Sequence, residues 1–258
     1  MSRGSVRSVM IALAWRQLTI LRKNPSLFLP PMLFPLINFA AFAGGLSRLR
    51  HVPGFEFKGG YTSFQLVFVL LQSAAFGGVF TGFGIARDFE RGFARRLMIA
   101  SKRRSGIVWG YALASLMRWT LVAIMLTAVA LIAHMQVGGN GVDLFGLYVL
   151  ALIVNVAGLL WACGIAMRFR SVQAGPLMQT PIFILLFLSP VYVPLVLLQG
   201  WIHSVARLNP LTYILTSGRG FISGEPTDVA IAFTIAFALL GCLGLWGLRG
   251  LKRAEQVV

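Results

Sequence analysis

The chain has 258 residues, of which 57% are hydrophobic and only 12% charged, with a mean hydropathy of +0.80. Soluble domains carry roughly a quarter charged residues, so a chain this apolar needs lipid as its solvent, and a soluble globular class is excluded. The net charge of +16 does not point to nucleic acid, because the Lys and Arg residues sit in short breaks between apolar runs, where anionic headgroups and topology account for them.

Residues 5–23 mix Arg7, Arg16, Arg22 and Lys23 with Val6, Val9, Met10, Leu13 and Ile20, which share an arc of about 100° on a helical wheel. The segment is too charged to span. It reads either as a helix lying in the cytoplasmic interface or as an ordinary flanking helix. No short apolar region with a small-residue cleavage site follows the N-terminus, so no cleaved signal peptide is expected. The first apolar run, about 27–46, carries Pro30, Pro31 and Pro35 and is expected to be broken near its cytoplasmic end. A polar loop with Arg48, Arg50, Glu56 and Lys58 leads to a second run, about 63–86. The GGVFTGFG stretch in its far half suits close helix approach.

Residues 87–106, RDFERGFARRLMIASKRRSG, hold seven of the 23 Lys and Arg residues. Four apolar runs follow, at about 107–133, 144–167, 176–198 and 229–248, the third of them interrupted by Pro181, Pro190 and Pro194. Each is near or above the ~20 residues needed to cross ~30 Å of hydrocarbon. Between the last two runs, residues 199–228 are too apolar for a plain loop. Trp201, Ile202, Val205 and Leu208 recur at helical spacing, and Asn209-Pro210 marks a fresh helix start before the Gly224-Glu225-Pro226 break. The pattern predicts either two short re-entrant helices dipping into the outer leaflet or one amphipathic helix lying flat on the outer surface. The fold class is therefore an all-α integral membrane protein: six transmembrane helices and an N-terminal interfacial helix in a single domain over 1–258.

Six crossings put both termini on one side. The N-terminal segment, residues 87–106, the 168–175 loop and the C-terminal tail carry most of the Lys and Arg, so both termini are expected in the cytoplasm.

The chemistry that is missing narrows the function. Glu56, Asp88, Glu90, Asp143, Glu225, Asp228 and Glu255 lie outside the apolar runs or at their edges, as do His51, His134 and His203. Nothing titratable is placed for ion coupling, although backbone carbonyls can bind sodium. No Gly-Lys dipeptide occurs, so the chain has no Walker loop with which to hydrolyse ATP itself. Neither HExxH nor GxSxG is present, and Cys163 and Cys242 lie in apolar runs without a Cys/His cluster; no catalytic or metal site is expected. Arg118 is the one charge within a run, about 16 Å from its start. It reads either as an interfacial residue that snorkels or as part of a substrate path or inter-helix contact.

The 87–106 stretch has more positive charge than orientation needs. Phe89, Phe93 and Leu97 form one apolar stripe at four-residue spacing, as expected for a helix that docks into a partner's groove, with Arg95, Arg96, Lys102 and Arg103 around it.

RDFERG followed by a short helix and turn resembles the cytoplasmic coupling region of type 2 ABC exporter permeases, the membrane subunits of drug, lipid and polysaccharide exporters that include the daunorubicin-resistance branch. Leu208-Asn209-Pro210-Leu211-Thr212-Tyr213 is similar to that family's outer-side Asn-Pro signature, and the resemblance covers nearly the whole chain. It implies a multi-pass protein of the bacterial cytoplasmic (inner) membrane. This would pair with a second permease subunit, identical or paralogous, and engage a separate P-loop ATP-binding subunit. ATP and Mg would act through that partner, and the chain itself would bind no cofactor. Arg87, Asp88, Glu90, Arg91, Gly92, Phe93, Arg95, Arg96, Leu97 and Ser101 would form the coupling interface. Leu208, Asn209, Pro210 and Tyr213 would shape the outer gate. The chain departs from the family in having Arg95 and Arg96 where an acidic residue is common, and Ala100-Ser101-Lys102 where a turn proline is common, so a more acidic motor is expected. Phe76, Phe80, Phe83, Arg118, Phe187 and Tyr192 are candidates for a substrate path suited to a hydrophobic drug or lipid; a polysaccharide is the alternative cargo. A self-contained six-span secondary transporter or channel, or a membrane assembly factor, is the alternative function.

Overall fold

The computed structural model describes residues 6–24, 29–55, 57–100 and 105–255. Among them the chain is helical, with no strand: α1 (Val6–Lys23), α2 (Leu29–Gly45), α3 (Gly60–Glu90), α4 (Phe93–Ala100), α5 (Ser105–Ile132), α6 (Gly141–Phe169), α7 (Gly175–Phe187), α8 (Trp201–Leu208), α9 (Pro210–Ser223) and α10 (Val229–Glu255). Among the described residues, four helices are long and apolar enough to cross a membrane: Gly60–Glu90, Gly106–Ile132, Gly141–Phe169 and Val229–Arg253. The first and fifth apolar runs carry shorter helices, α2 and α7.

The prolines explain both shorter elements. Pro30 and Pro31 fall in the first turn of α2, where the helix needs no backbone donors. The helix then continues through Pro35 to Gly45, so the break expected near the start of this run is absent from Leu29 onward; residues 25–28 lie outside the described part. The fifth run is interrupted at Pro190 and Pro194 as expected, whereas Pro181, also expected to interrupt it, sits inside α7 without breaking the helix. α7 ends at Phe187, and the chain passes through Pro190 and Pro194 without regular helix apart from one 3-10 turn at Leu195–Leu197.

At the centre, α3 packs on α6 through small residues. A Cβ on Gly78 would lie 2.4 Å from the Asn155 carbonyl oxygen and from the Leu159 nitrogen. One on Gly158 would lie 2.6 Å from the Ala75 carbonyl, and one on Gly82 would meet Ala162 at 2.4 Å. Without a hydrophobic driving force between helices in lipid, such close backbone approach supplies the van der Waals contact that holds them together. Asn155 locks the crossing, donating to the Ala74 carbonyl (2.9 Å) and accepting from the Ser115 hydroxyl of α5 (2.9 Å). A second glycine seam joins α6 to α10, where Gly164 faces Trp246 and Gly250, and Trp246 stacks on Trp161.

α9 is not a surface helix. Leu211, Ile214, Leu215, Ser217, Gly218 and Arg219 are all buried, and it packs among α3, α6 and α10. By contrast, α5 and α10 keep apolar faces exposed at residues such as Ile124, Leu131, Phe237 and Leu245.

Replacing Gly78 by Leu should separate α3 from α6. We expect a loss of about 1–3 kcal/mol or more of packing, read as a lower thermal aggregation midpoint in detergent, with Gly84→Leu, which has open space at its Cβ, close to wild type.

Candidate functional site: a basic groove beside an arginine-bearing helix

The basic stretch folds around one carboxylate. Asp88, in the last turn of α3, is buried and accepts four hydrogen bonds. Arg16 of α1 donates two (2.9 and 2.8 Å), Gln17 of α1 one (3.1 Å), and the Tyr111 hydroxyl of α5 one (2.6 Å). The Arg16 guanidinium also lies over the Phe93 ring at 3.7 Å. Partial burial works against its charge, but hydrogen bonding to Asp88 and the charge on that carboxylate outweigh this and raise its pKa above the ordinary arginine value. α1 fits against α5 because Gly106 and Gly110 leave room for Val6, Met10 and Leu13. One carboxylate thus joins α1, α3 and α5, and through Arg16 it reaches α4.

Glu90 closes the same end. Its carboxylate accepts from the Ser171 hydroxyl and the Val172 backbone N–H, both at 2.8 Å, tying the end of α3 to the α6–α7 turn. Gly92 adopts φ +70°, a left-handed value that glycine takes without strain, and so redirects the chain into α4.

The stripe of Phe89, Phe93 and Leu97 faces inward, packing with buried Met98 on the chain's own core. The expectation that it would rest in a partner's groove is not how the chain uses it, because α1, α5 and the α6–α7 turn supply that groove from within the same chain. What α4 exposes instead is Arg95, Arg96 and Ile99, the last 70% exposed, beside exposed Arg91. Ser101, Lys102 and Arg103 lie outside the described residues.

Between α1, α2, α3 and α5 lies a groove of about 550 Å³. Its walls include Arg87, Arg91 and Arg118 together with Phe80, Phe83 and Trp119. The Arg118 guanidinium donates to the Thr81 hydroxyl, and through Nε to the Ala114 carbonyl at 3.3 Å. The ion pairs found among the described residues are Arg16–Asp88 and Lys58–Glu225; Arg87, Arg91 and Arg118 take part in neither.

From the groove a row of rings climbs α3 and crosses to α7. Phe83 contacts Phe80 (5.7 Å between ring centres), Phe80 contacts Phe76 (6.3 Å), Phe76 contacts Phe183 (4.5 Å) and Phe183 stacks on Phe187 (5.8 Å). The structure therefore brings together Phe76, Phe80, Phe83, Phe187 and, through the groove, Arg118. Tyr192 lies elsewhere, against Phe42, with its carbonyl accepting from the Tyr61 hydroxyl.

At the other end Asn209 caps α9, accepting from the Leu211 N–H at 3.0 Å and donating to the Leu185 carbonyl at 2.6 Å, with Pro210 in the first turn. Leu208 is 86% exposed, and the Tyr213 hydroxyl donates to the Arg207 carbonyl. The residue that sequence reasoning missed is Arg219. It is buried in α9, lies 3.3 Å over the Phe64 ring, and donates to the carbonyls of Pro190 (2.6 Å) and Val191 (2.8 Å). Its signal was its place seven residues after Thr212, two helical turns along the same face of α9. Asn155 and Tyr111 were missed as well, each a polar group inside an apolar run.

Asp88→Ala removes the acceptor that four donors share. A loss of about 3–5 kcal/mol is expected for a broken buried pair, somewhat less because Arg16 keeps partial access to water. Tyr111→Phe should cost only about 1 kcal/mol. Thermal aggregation midpoints of the purified variants would order them; equal midpoints would show that Asp88 does not hold this end together.

Comparison with known proteins gives this architecture its context. The family model described as "ABC-2 type transporter" matches residues 8–222. The chain is 20% identical over 247 residues to the daunorubicin resistance ABC transporter permease protein DrrB1 of Streptomyces coeruleorubidus, covering 93% of this chain and 84% of that one. It is 24% identical over 202 residues to a protein of Pyropia yezoensis named as transport permease ycf38, covering 76% and 68% respectively. With the match spanning both the Asp88 end and the Asn209 cap, the chain belongs to the ABC-2 type transporter family, as a membrane permease.

Proposed function

We propose that the chain is the permease subunit of an exporter that moves a hydrophobic or amphipathic substrate, a drug or lipid, with ATP and Mg bound by a separate P-loop subunit. In this reading it pairs with a second permease, identical or paralogous, and crosses the bacterial cytoplasmic membrane six times with both termini inside. α2 and α7 then supply the first and fifth crossings, and the exposed apolar faces of α5 and α10 meet lipid or the second permease.

One observation carries the mechanism. Phe93 of α4 holds the Arg16 guanidinium, Arg16 holds Asp88, and both Arg16 and Asp88 line the groove. A motor that grips Arg91, Arg95, Arg96 and Ile99 would therefore move the wall of the groove through two contacts. The inward stripe makes α4 a stiff lever on this wall. Family membership favours this reading over a self-contained secondary transporter, and the row of phenyl rings favours a hydrophobic cargo over a polysaccharide.

Arg95→Glu with Arg96→Glu should reduce co-purification of the ATP-binding subunit at least tenfold at low ionic strength, with the wild-type complex itself weakening as salt rises. Phe93→Ala should leave that complex intact but abolish substrate stimulation of its ATPase in proteoliposomes. An intact complex in the double reversal would remove the docking surface; retained stimulation in Phe93→Ala would remove the lever.

A further inference from the structure

We propose that the groove between α1, α2, α3 and α5 is a binding site for the anionic headgroup of an amphiphile, a phosphate or carboxylate on a hydrophobic tail, with Arg118 as its anchor. The inference deepens the reading above by naming the charge of the ligand. It rests on that reading for export of the ligand, and not for its binding.

The argument begins with charge. Asp88 is the acid in the groove wall, and it is already neutralised by Arg16 through two hydrogen bonds. That leaves Arg118 on the same wall without a carboxylate within ion-pair distance among the described residues, while Arg87 and Arg91 lie close enough to Glu90 for their charges to act on its carboxylate. Arg91 is exposed at the mouth, and Arg87 follows one turn further along α3. Arg118 meets α3 at Thr81, six residues or about 9 Å beyond Arg87. The three cations thus form a descending series from the mouth into the apolar part of the molecule.

Arg118 is the costly member. It sits in the middle of a helix long and apolar enough to span, where a cation is unfavourable unless it is paired or reaches water. A hydroxyl and a helical carbonyl are neutral acceptors. They supply hydrogen bonds without compensating the charge. A guanidinium offers five donors in a planar fork suited to bidentate contact with phosphate or carboxylate, and an anion in the groove would complete it.

The remaining wall determines what the anion is attached to. Phe80, Phe83, Trp119 and Val122 line the same groove as Arg118, and the ring row continues from Phe80 to Phe76 and Phe183. A small inorganic anion would leave these surfaces wet, whereas an acyl or polyaromatic tail would cover them. Such a ligand is either a phospholipid resident in the bilayer or an anionic cargo; the headgroup chemistry is shared.

The test is native mass spectrometry of the full chain in mild detergent, titrated with dioleoylphosphatidylglycerol, dioleoylphosphatidylcholine or inorganic phosphate. Phosphatidylglycerol is expected to be retained about tenfold more strongly than phosphatidylcholine. Arg118→Gln should remove that preference and Arg118→Lys should keep part of it. If Arg118→Gln does not fold, Arg91→Gln, at the exposed mouth, should still weaken phosphatidylglycerol several-fold. Equal retention of both lipids, or an unchanged preference in Arg118→Gln and Arg91→Gln, would overturn the site. Displacement of phosphatidylglycerol by millimolar phosphate would show a free-anion site and overturn the amphiphile. With the ATP-binding subunit added, ATP-dependent exchange of the bound lipid identifies cargo, and retention through turnover identifies a resident lipid. Both results support the site. An ATPase that does not couple to the chain would count against the exporter reading alone.

Discussion

The end of the molecule that bears α4 is organised around the buried Asp88 carboxylate. A buried Asp is tolerable only when its oxygens are saturated with donors, and Asp88 meets that condition by drawing on α1 and α5 at once. Several features follow from this requirement. α1 must run alongside α5, which the glycines at 106 and 110 permit. α4 must place Phe93 under Arg16, and so its apolar stripe turns inward and its arginines outward. The cost of one charge at the edge of the apolar region thereby fixes which side chains of α4 face outward.

The same logic of satisfying polar groups shapes the rest of the bundle. Asn155 ties α3, α5 and α6 where their backbones come closest. Arg219 supplies donors to backbone that the prolines of the fifth run have taken out of helix. The carbonyls that Arg219 reaches lie where regular helix has ended, so they need a partner, which in hydrocarbon cannot be water. Arg118 departs from the pattern, having neutral acceptors and an open groove in front of it.

Much of this was legible in the residues because it depends on local chemistry. The all-helical membrane class follows from composition, the interruption of the fifth run from Pro190 and Pro194, the cap of α9 from Asn209-Pro210, and close helix approach along α3 from GGVFTGFG. What was not legible depends on three-dimensional pairing. The direction of the Phe89, Phe93 and Leu97 stripe cannot be read from spacing, since a groove in a partner and a groove in the same chain call for the same periodicity. Pro30 and Pro31 suggested a broken helix because their register relative to the helix start decides whether any donor is lost, and that start was not fixed by sequence. Arg219 drew no notice because its acceptors are some 30 residues earlier in the chain.

The latch between Arg219 and the Pro190 bend has an evolutionary consequence. Losing the arginine first strands two carbonyls; straightening the bend first strands a buried guanidinium. Either order passes through a disfavoured intermediate, so residues 190 and 219 should behave as one heritable unit. Drift should be slow at both positions, and where one changes in a relative, the other should be found changed with it.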